Sequence, residues 1–96
     1  MGRIHRTSDA LDDLSNIWLY IAEHNLPAAD RVIDRIERVL TLLVQFPGMG
    51  EAVDHLRQGV RRFTEGNYQL FYEITSDGIL LLRVYHAARS IEDLFD

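Results

Sequence analysis

Residues 66–89 read GNYQLFYEITSDGILLLRVYHAAR, and the fold turns on how this stretch pairs with itself. Tyr68–Thr75 and Ile79–Tyr85 are rich in aromatic, branched and leucine side chains, with Ser76-Asp77-Gly78 between them, which predicts an antiparallel hairpin. A three-residue loop with Gly78 left-handed is the expected connection. In that register Leu70, Tyr72, Ile74, Leu80, Leu82 and Val84 share one face, and Gln69, Phe71, Glu73, Leu81, Arg83 and Tyr85 share the other. A two-residue loop pairs the strands differently and redistributes these residues, because a one-residue slip turns a side chain to the opposite face. The stretch ends in Arg83-Val84-Tyr85-His86-Ala87-Ala88-Arg89, a cationic exit from an acidic chain.

Upstream, Gly59–Thr64 alternates weakly as a third strand, and Glu65-Gly66-Asn67 reads as the turn joining it to Tyr68. Before that the period is helical. Leu11, Leu14, Ile17, Trp18 and Ile21 fall at three- and four-residue spacing, predicting a helix over about Asp9–His24 capped by Ser8 or Asp9. Asn25-Leu26-Pro27 breaks it, and Pro27 suits the first turn of a second helix. That helix carries Ala29, Val32, Ile33, Ile36, Leu40 and Leu43 on one side and mostly charged residues on the other. The short break implies an antiparallel helical hairpin. Phe46-Pro47-Gly48-Met49-Gly50 ends the helix and opens a loop. Residues 3–7 read as a short first strand, and Ser90–Asp96 as a short helix or tail.

Ninety-six residues with 47% hydrophobic content suit one domain spanning 1–96. The chain has no cysteine, which excludes disulfide staples and thiolate zinc sites. The N-terminus lacks the apolar stretch of a signal peptide, and no run approaches the roughly 18 apolar residues of a membrane span, so a cytoplasmic protein is expected. The net charge is −5 and unevenly spread. Residues 1–56 hold five Arg against nine acids, residues 57–89 five Arg against three acids, and residues 90–96 three acids alone. An acidic chain lacks the broad positive footprint of an independent nucleic-acid binder.

His5, His24, His55 and His86 show no local metal-ligand spacing, and neither a metal nor a cofactor is expected. His86 follows a strand with Arg83 and Arg89 three residues to either side. Its expected role is to hydrogen-bond a nearby carbonyl and cap the sheet rather than to act as a general base. Arg61, Arg62, Arg83 and Arg89 could converge through adjacent strands. They read either as a patch for phosphate or carboxylate or as exposed ion pairs with Glu65, Glu73 and Glu92. Phe71, Leu81 and Tyr85 form an apolar second sheet face that a partner would bury, unless Ser90–Phe95 folds back over it. Trp18 and Tyr20 read as core and rim packing of the first helix.

Taken together, Ala10–Ile17 (ALDDLSNI), Tyr20-Ile21-Ala22, Ala28-Ala29, Val32–Ile36 (VIDRI), Phe46–Gly50 (FPGMG), Leu56, Gly59-Val60-Arg61, Asn67-Tyr68, Phe71-Tyr72, Arg83–His86 (RVYH) and Arg89 resemble the ParE toxins of bacterial type II toxin–antitoxin systems, within the wider RelE/ParE superfamily. The resemblance covers nearly the whole chain and rests on order and spacing. It implies an α+β fold of β-α-α-β-β-β layout, with a helical hairpin packed on an antiparallel sheet. It also implies a ParD-like antitoxin that wraps the toxin, with Trp18, Tyr20, Phe71, Leu81 and Tyr85 as contact candidates, and DNA gyrase as the target, with Arg61, Arg62, Arg83, His86 and Arg89 as contact candidates.

RelE-type relatives instead cut messenger RNA in the ribosome, and on that alternative Arg62, Arg83 and His86 are the catalytic candidates. Those nucleases carry Arg where this chain has Gln69, Arg where it has Ala87, and a tyrosine near the C-terminus where it has Asp93-Leu94-Phe95. Ribonucleolysis needs proton transfer at the 2′-oxygen and cations for the phosphorane charge, which Gln69 and Ala87 do not supply. A non-hydrolytic toxin is therefore the expected reading. A remnant that only binds antitoxin and co-regulates its operon is the third.

Overall fold

A computed structural model describes residues 2–92 together with Leu94 and Phe95. Strand β1 (Arg3–Arg6) leads into helix α1 (Ser8–Ala22) and helix α2 (Leu26–Gln45). A 3-10 turn (Pro47–Met49) follows, then strands β2 (Glu51–Ala52), β3 (Val60–Glu65), β4 (Tyr68–Thr75) and β5 (Gly78–His86). The sheet order is β1-β5-β4-β3-β2. The expected α+β layout is present, with β2 as an additional two-residue edge strand. The meander from β2 to β5 is antiparallel, and β1 joins β5 in parallel.

The helix starts follow from their caps. Thr7, rather than Ser8 or Asp9, caps α1. Its hydroxyl accepts the Ala10 amide at 3.0 Å and donates to the Leu82 carbonyl at 2.8 Å, so one side chain both starts the helix and ties it to β5. Asn25 caps α2 by accepting the Ala28 amide at 3.0 Å, with Pro27 in the first turn as expected. Ala10 and Leu14 of α1 and Ile36, Val39, Leu40 and Leu43 of α2 are buried against Leu70, Tyr72, Ile79, Leu81 and Val84 of the sheet. Each large aliphatic group buried there contributes about 1.5–3 kcal/mol relative to exposure. Trp18 bridges the helical hairpin through its indole N–H, which donates to Asp30 at 2.9 Å.

The β4–β5 hairpin departs from its expected register in one half and restores it in the other. Thr75 pairs with Gly78, so the loop is Ser76-Asp77, two residues long, and neither is at positive φ. The pairing runs in this register to Tyr72 opposite Leu81, then shifts to Phe71 opposite Arg83, leaving Leu82 as the extra residue of a β-bulge. Between loop and bulge the faces of β5 are exchanged. Leu81 joins the helix-side core, whereas Leu80 and Leu82 lie on the second face. Beyond the bulge Val84 and Tyr85 take their expected sides. Gly78 is not left-handed: its φ of 159° is close to extended, and it sits opposite Arg3. A Cβ at Gly78 would run into the Arg3 backbone, so glycine there answers the close approach of β1 rather than the turn. Ile74 shares the helix-side register but is half exposed at 51%, because β3 ends its pairing at Glu73.

The second face is covered by the chain itself. Phe71, Val53, Val60, Leu82, Tyr85 and Leu94 form a second apolar cluster, with Leu56, Leu80, Ile91 and Phe95 packed around it. Phe71 and Phe95 meet edge to face at 6.0 Å, and the Leu94 amide donates to the Ile91 carbonyl. The expected open face of Phe71, Leu81 and Tyr85 is therefore corrected twice. The bulge sends Leu81 to the other side, and Ile91, Leu94 and Phe95 cover Phe71 and Tyr85. Of the expected short helix or tail over Ser90–Asp96, Asp93 and Asp96 lie outside the described residues.

The Phe46–Gly50 segment is held from the sheet. Buried Tyr72 donates its hydroxyl to the Pro47 carbonyl at 2.7 Å and accepts the Gly50 amide at 3.0 Å. Arg61 donates from Nε to the Gly50 carbonyl at 2.9 Å and from its terminal nitrogen to the Gly48 carbonyl at 3.1 Å. A Cβ at Gly50 would lie 2.5 Å from the Tyr72 hydroxyl and 2.9 Å from the Arg62 carbonyl. Tyr72→Phe strands a buried amide and a carbonyl while leaving the ring in place. It should lower stability by about 1–3 kcal/mol in urea denaturation. An unchanged midpoint would show that water replaces the hydroxyl.

Candidate functional site

The exit of β5 places Arg83, Tyr85, His86 and Arg89 beside α1. Asp13 organises this corner. Its two carboxylate oxygens accept from the Arg83 guanidinium at 2.8 and 3.0 Å, and one also accepts the Val84 amide at 2.9 Å. The hydrogen bonds from Asp13, together with its negative charge, hold the Arg83 guanidinium protonated well above the ordinary arginine value. This cation is a structural partner of α1. The Asp13 position carries its own signal, since it lies three residues after buried Ala10 and four before half-buried Ile17, where an acid is expected only if paired.

The expected convergence of arginines occurs in the strand register. Phe71 of β4 pairs with Arg62 of β3 on one side and Arg83 of β5 on the other, placing the two arginine backbones about 10 Å apart across the sheet. Each guanidinium is taken by a neighbour of its own. Arg62 donates to Glu51 at 2.8 Å and to the side-chain carbonyl of buried Gln69 at 3.2 Å. Arg61 is committed to the Gly48 and Gly50 carbonyls. Glu73 pairs with Arg57 rather than with any of the four, and Glu65 lies near Arg35. Gln69, at a position where RelE-type relatives carry a cation, serves here as an acceptor.

Among the described residues the His86 ring does not bond a carbonyl. Its Nδ1 accepts the Ala88 amide at 3.0 Å, so the neutral ring carries its proton on Nε2 and presents a donor to solvent. Its ring also meets Tyr68 edge on at 5.5 Å. Arg89 stacks over the Tyr85 ring at 3.9 Å, with Arg83 near the same ring at 4.9 Å. Of the five target-contact candidates, His86 and Arg89 alone are exposed, and neither forms an ion pair among the described residues.

Between this exit and α1 lies a groove of about 400 Å³ lined by Asp13, Asn16, Ile17, Tyr20, Tyr68, Val84, His86 and Arg89. Tyr20 is 72% exposed at its rim, so it is surface rather than packing, and Tyr68 forms part of its wall. Burial, with a smaller contribution from Tyr20, pushes the Tyr68 phenol above its ordinary value of 10, keeping it a neutral hydroxyl. The roles of Asn16 and Tyr68 were not apparent in sequence, because each depends on α1 lying along the end of β5. Among the described residues no cluster of His, Asp or Glu suits a metal ion, and no helix is long and apolar enough to cross a membrane.

The helical hairpin thus lies on a five-stranded sheet with a cationic β5 exit. Residues 4–91 match the family model described as the ParE toxin of the type II toxin–antitoxin system parDE, and the chain belongs to that family. It is 32% identical over 85 residues to Toxin ParE3 of Caulobacter vibrioides, covering 88% of this chain and 85% of that one. Toxin ParE1 of the same organism is 28% identical over the same shares. Among solved structures, the chromosomal ParDE system of P. aeruginosa superposes with a TM-score of 0.74 at 21% identity, covering 90% of this chain and 96% of that one. The RelBE2 toxin–antitoxin complex of Mycobacterium tuberculosis superposes with a TM-score of 0.63 at 22% identity, covering 88% and 96%. These two likenesses establish the fold.

Proposed function

We propose that this type II toxin acts by binding DNA gyrase, without hydrolytic chemistry of its own, and is neutralised by a ParD-like antitoxin. The observation that carries the non-hydrolytic reading is the commitment of the candidate cations. Arg83 is bound to Asp13, Arg62 to Glu51 and Gln69, and Arg61 to backbone carbonyls. A phosphorane needs cations whose donors face the substrate, and a general base needs a free lone pair. The Nδ1 lone pair of His86 is engaged by Ala88. Membership of the ParE family supports gyrase as the target, and the ParDE and RelBE2 neighbours support an antitoxin partner.

Purified toxin should inhibit gyrase supercoiling and accumulate cleaved DNA, while leaving messenger RNA intact on programmed ribosomes. Ribosome-dependent RNA cutting that His86→Ala abolishes, with gyrase unaffected, would replace this reading with a RelE-like nuclease using Arg62, Arg83 and His86. Folded protein that inhibits neither and spares growth on overexpression would indicate a remnant that serves only as an antitoxin-binding co-regulator.

A further inference from the structure

The groove between α1 and the β5 exit has a chemistry of its own. Its floor is apolar, from Val84, buried at 2%, and half-buried Ile17. Its rim offers donors: the His86 Nε2–H, the Arg89 guanidinium, the Tyr68 and Tyr20 hydroxyls and the Asn16 amide. The one carboxylate lining it, Asp13, has its oxygens engaged by Arg83 and the Val84 amide, so it presents little free negative charge. An occupant must therefore bring acceptors to the rim and apolar surface to the floor.

We infer that this groove docks an acidic segment of the antitoxin, seating an aliphatic side chain over Ile17 and Val84 and a neighbouring carboxylate between His86 and Arg89. The choice of the antitoxin as occupant rests on the proposed function above. A nucleic-acid backbone matches the donors but has no aliphatic group for the floor, and the chain's net charge of −5 repels it. An acidic, aliphatic peptide satisfies both halves of the groove. The guanidinium of Arg89, held over the Tyr85 ring with its central carbon 3.9 Å from the ring centre, is oriented in advance and loses little freedom when a carboxylate arrives.

The test measures antitoxin affinity by fluorescence anisotropy for the wild-type toxin, Arg89→Ala, Tyr20→Ala and, as a control on the exposed side of α2, Arg38→Ala. Circular dichroism confirms the fold of each. Arg89→Ala and Tyr20→Ala should each weaken binding about tenfold, with Arg38→Ala unchanged. Glu/Asp→Gln/Asn changes in the docked antitoxin segment should lose little further affinity against Arg89→Ala, the signature of a coupled pair. Equal affinity for all four toxins overturns the groove assignment while leaving the antitoxin reading intact. No binding of antitoxin to wild-type toxin overturns the antitoxin reading and this occupant with it. Competition by a single-stranded 12-mer RNA that is lost in Arg89→Ala assigns the groove to nucleic acid and overturns the proposal.

Discussion

Asp13→Ala is expected to lower the stability of this toxin by about 2–4 kcal/mol, although the residue lies on an outer helix. The size follows from what is left behind. Arg83 keeps its charge with a side chain only 22% exposed, and the Val84 amide loses its acceptor. Arg83 cannot relieve the loss by deprotonating, because a guanidinium stays protonated across the accessible pH range with or without a partner. Asp12→Ala, one residue earlier and exposed, should stay within about 0.5 kcal/mol. Urea denaturation separates the two, with a shifted midpoint and an unchanged slope expected for Asp13→Ala. Replacing both partners, Asp13→Leu with Arg83→Met, should recover much of the loss, because no charge then stays unpaired. If Asp13→Ala and Asp12→Ala behave alike, the pair is an ordinary surface contact and Arg83 returns to the pool of free cations.

What the sequence revealed and what it concealed divide along local and non-local lines. The helical hairpin was legible because Leu14, Ile17, Ile36, Leu40 and Leu43 repeat at helical spacing and Pro27 marks a first turn. Three of the four strands of the meander, β3, β4 and β5, were legible from alternation and from the Gly66 turn. The faces of β5 were not, because the bulge at Leu82 costs no unusual residue and leaves no composition signal. Its cause lies in the partner strands: a two-residue loop forces one register near Gly78, and packing of Val84 on α1 demands the other. Gly78 shows the same limit. Its local sequence suggests a left-handed turn, whereas the reason for glycine is the Arg3 backbone some 75 positions away. At the candidate site, Arg61, Arg62, Arg83, His86 and Arg89 were visible as residue types, yet their acceptors were not. Glu51, Gln69, Asp13 and two glycine carbonyls decide which of the five remain free, and all arrive through tertiary folding.

Phe71→Ala is expected to be the most destabilising single change, at about 3–5 kcal/mol, and its pattern tests how the second face is closed. The ring is fully buried between Val53, Val60, Leu82 and Tyr85, and its edge-to-face partner is Phe95. Removing it takes away the apolar contact and leaves a cavity under Ile91, Leu94 and Phe95, so these residues should lose their hold on the sheet. Hydrogen exchange should then show the Leu94 amide, which donates to the Ile91 carbonyl, losing protection well before the β3–β4 ladder. Leu81→Ala provides the contrast. It removes a comparably buried side chain from the helix-side core, so it should cost about 2–5 kcal/mol and leave Leu94 protection in step with global unfolding. Phe95→Ala, which deletes the covering ring but leaves Phe71, should cost less than either, because Phe95 is only partly buried. A Phe71→Ala protein with near wild-type stability would mean that the second face is not a packed core in solution. Phe71 and Tyr85 would then return as open surface for a partner.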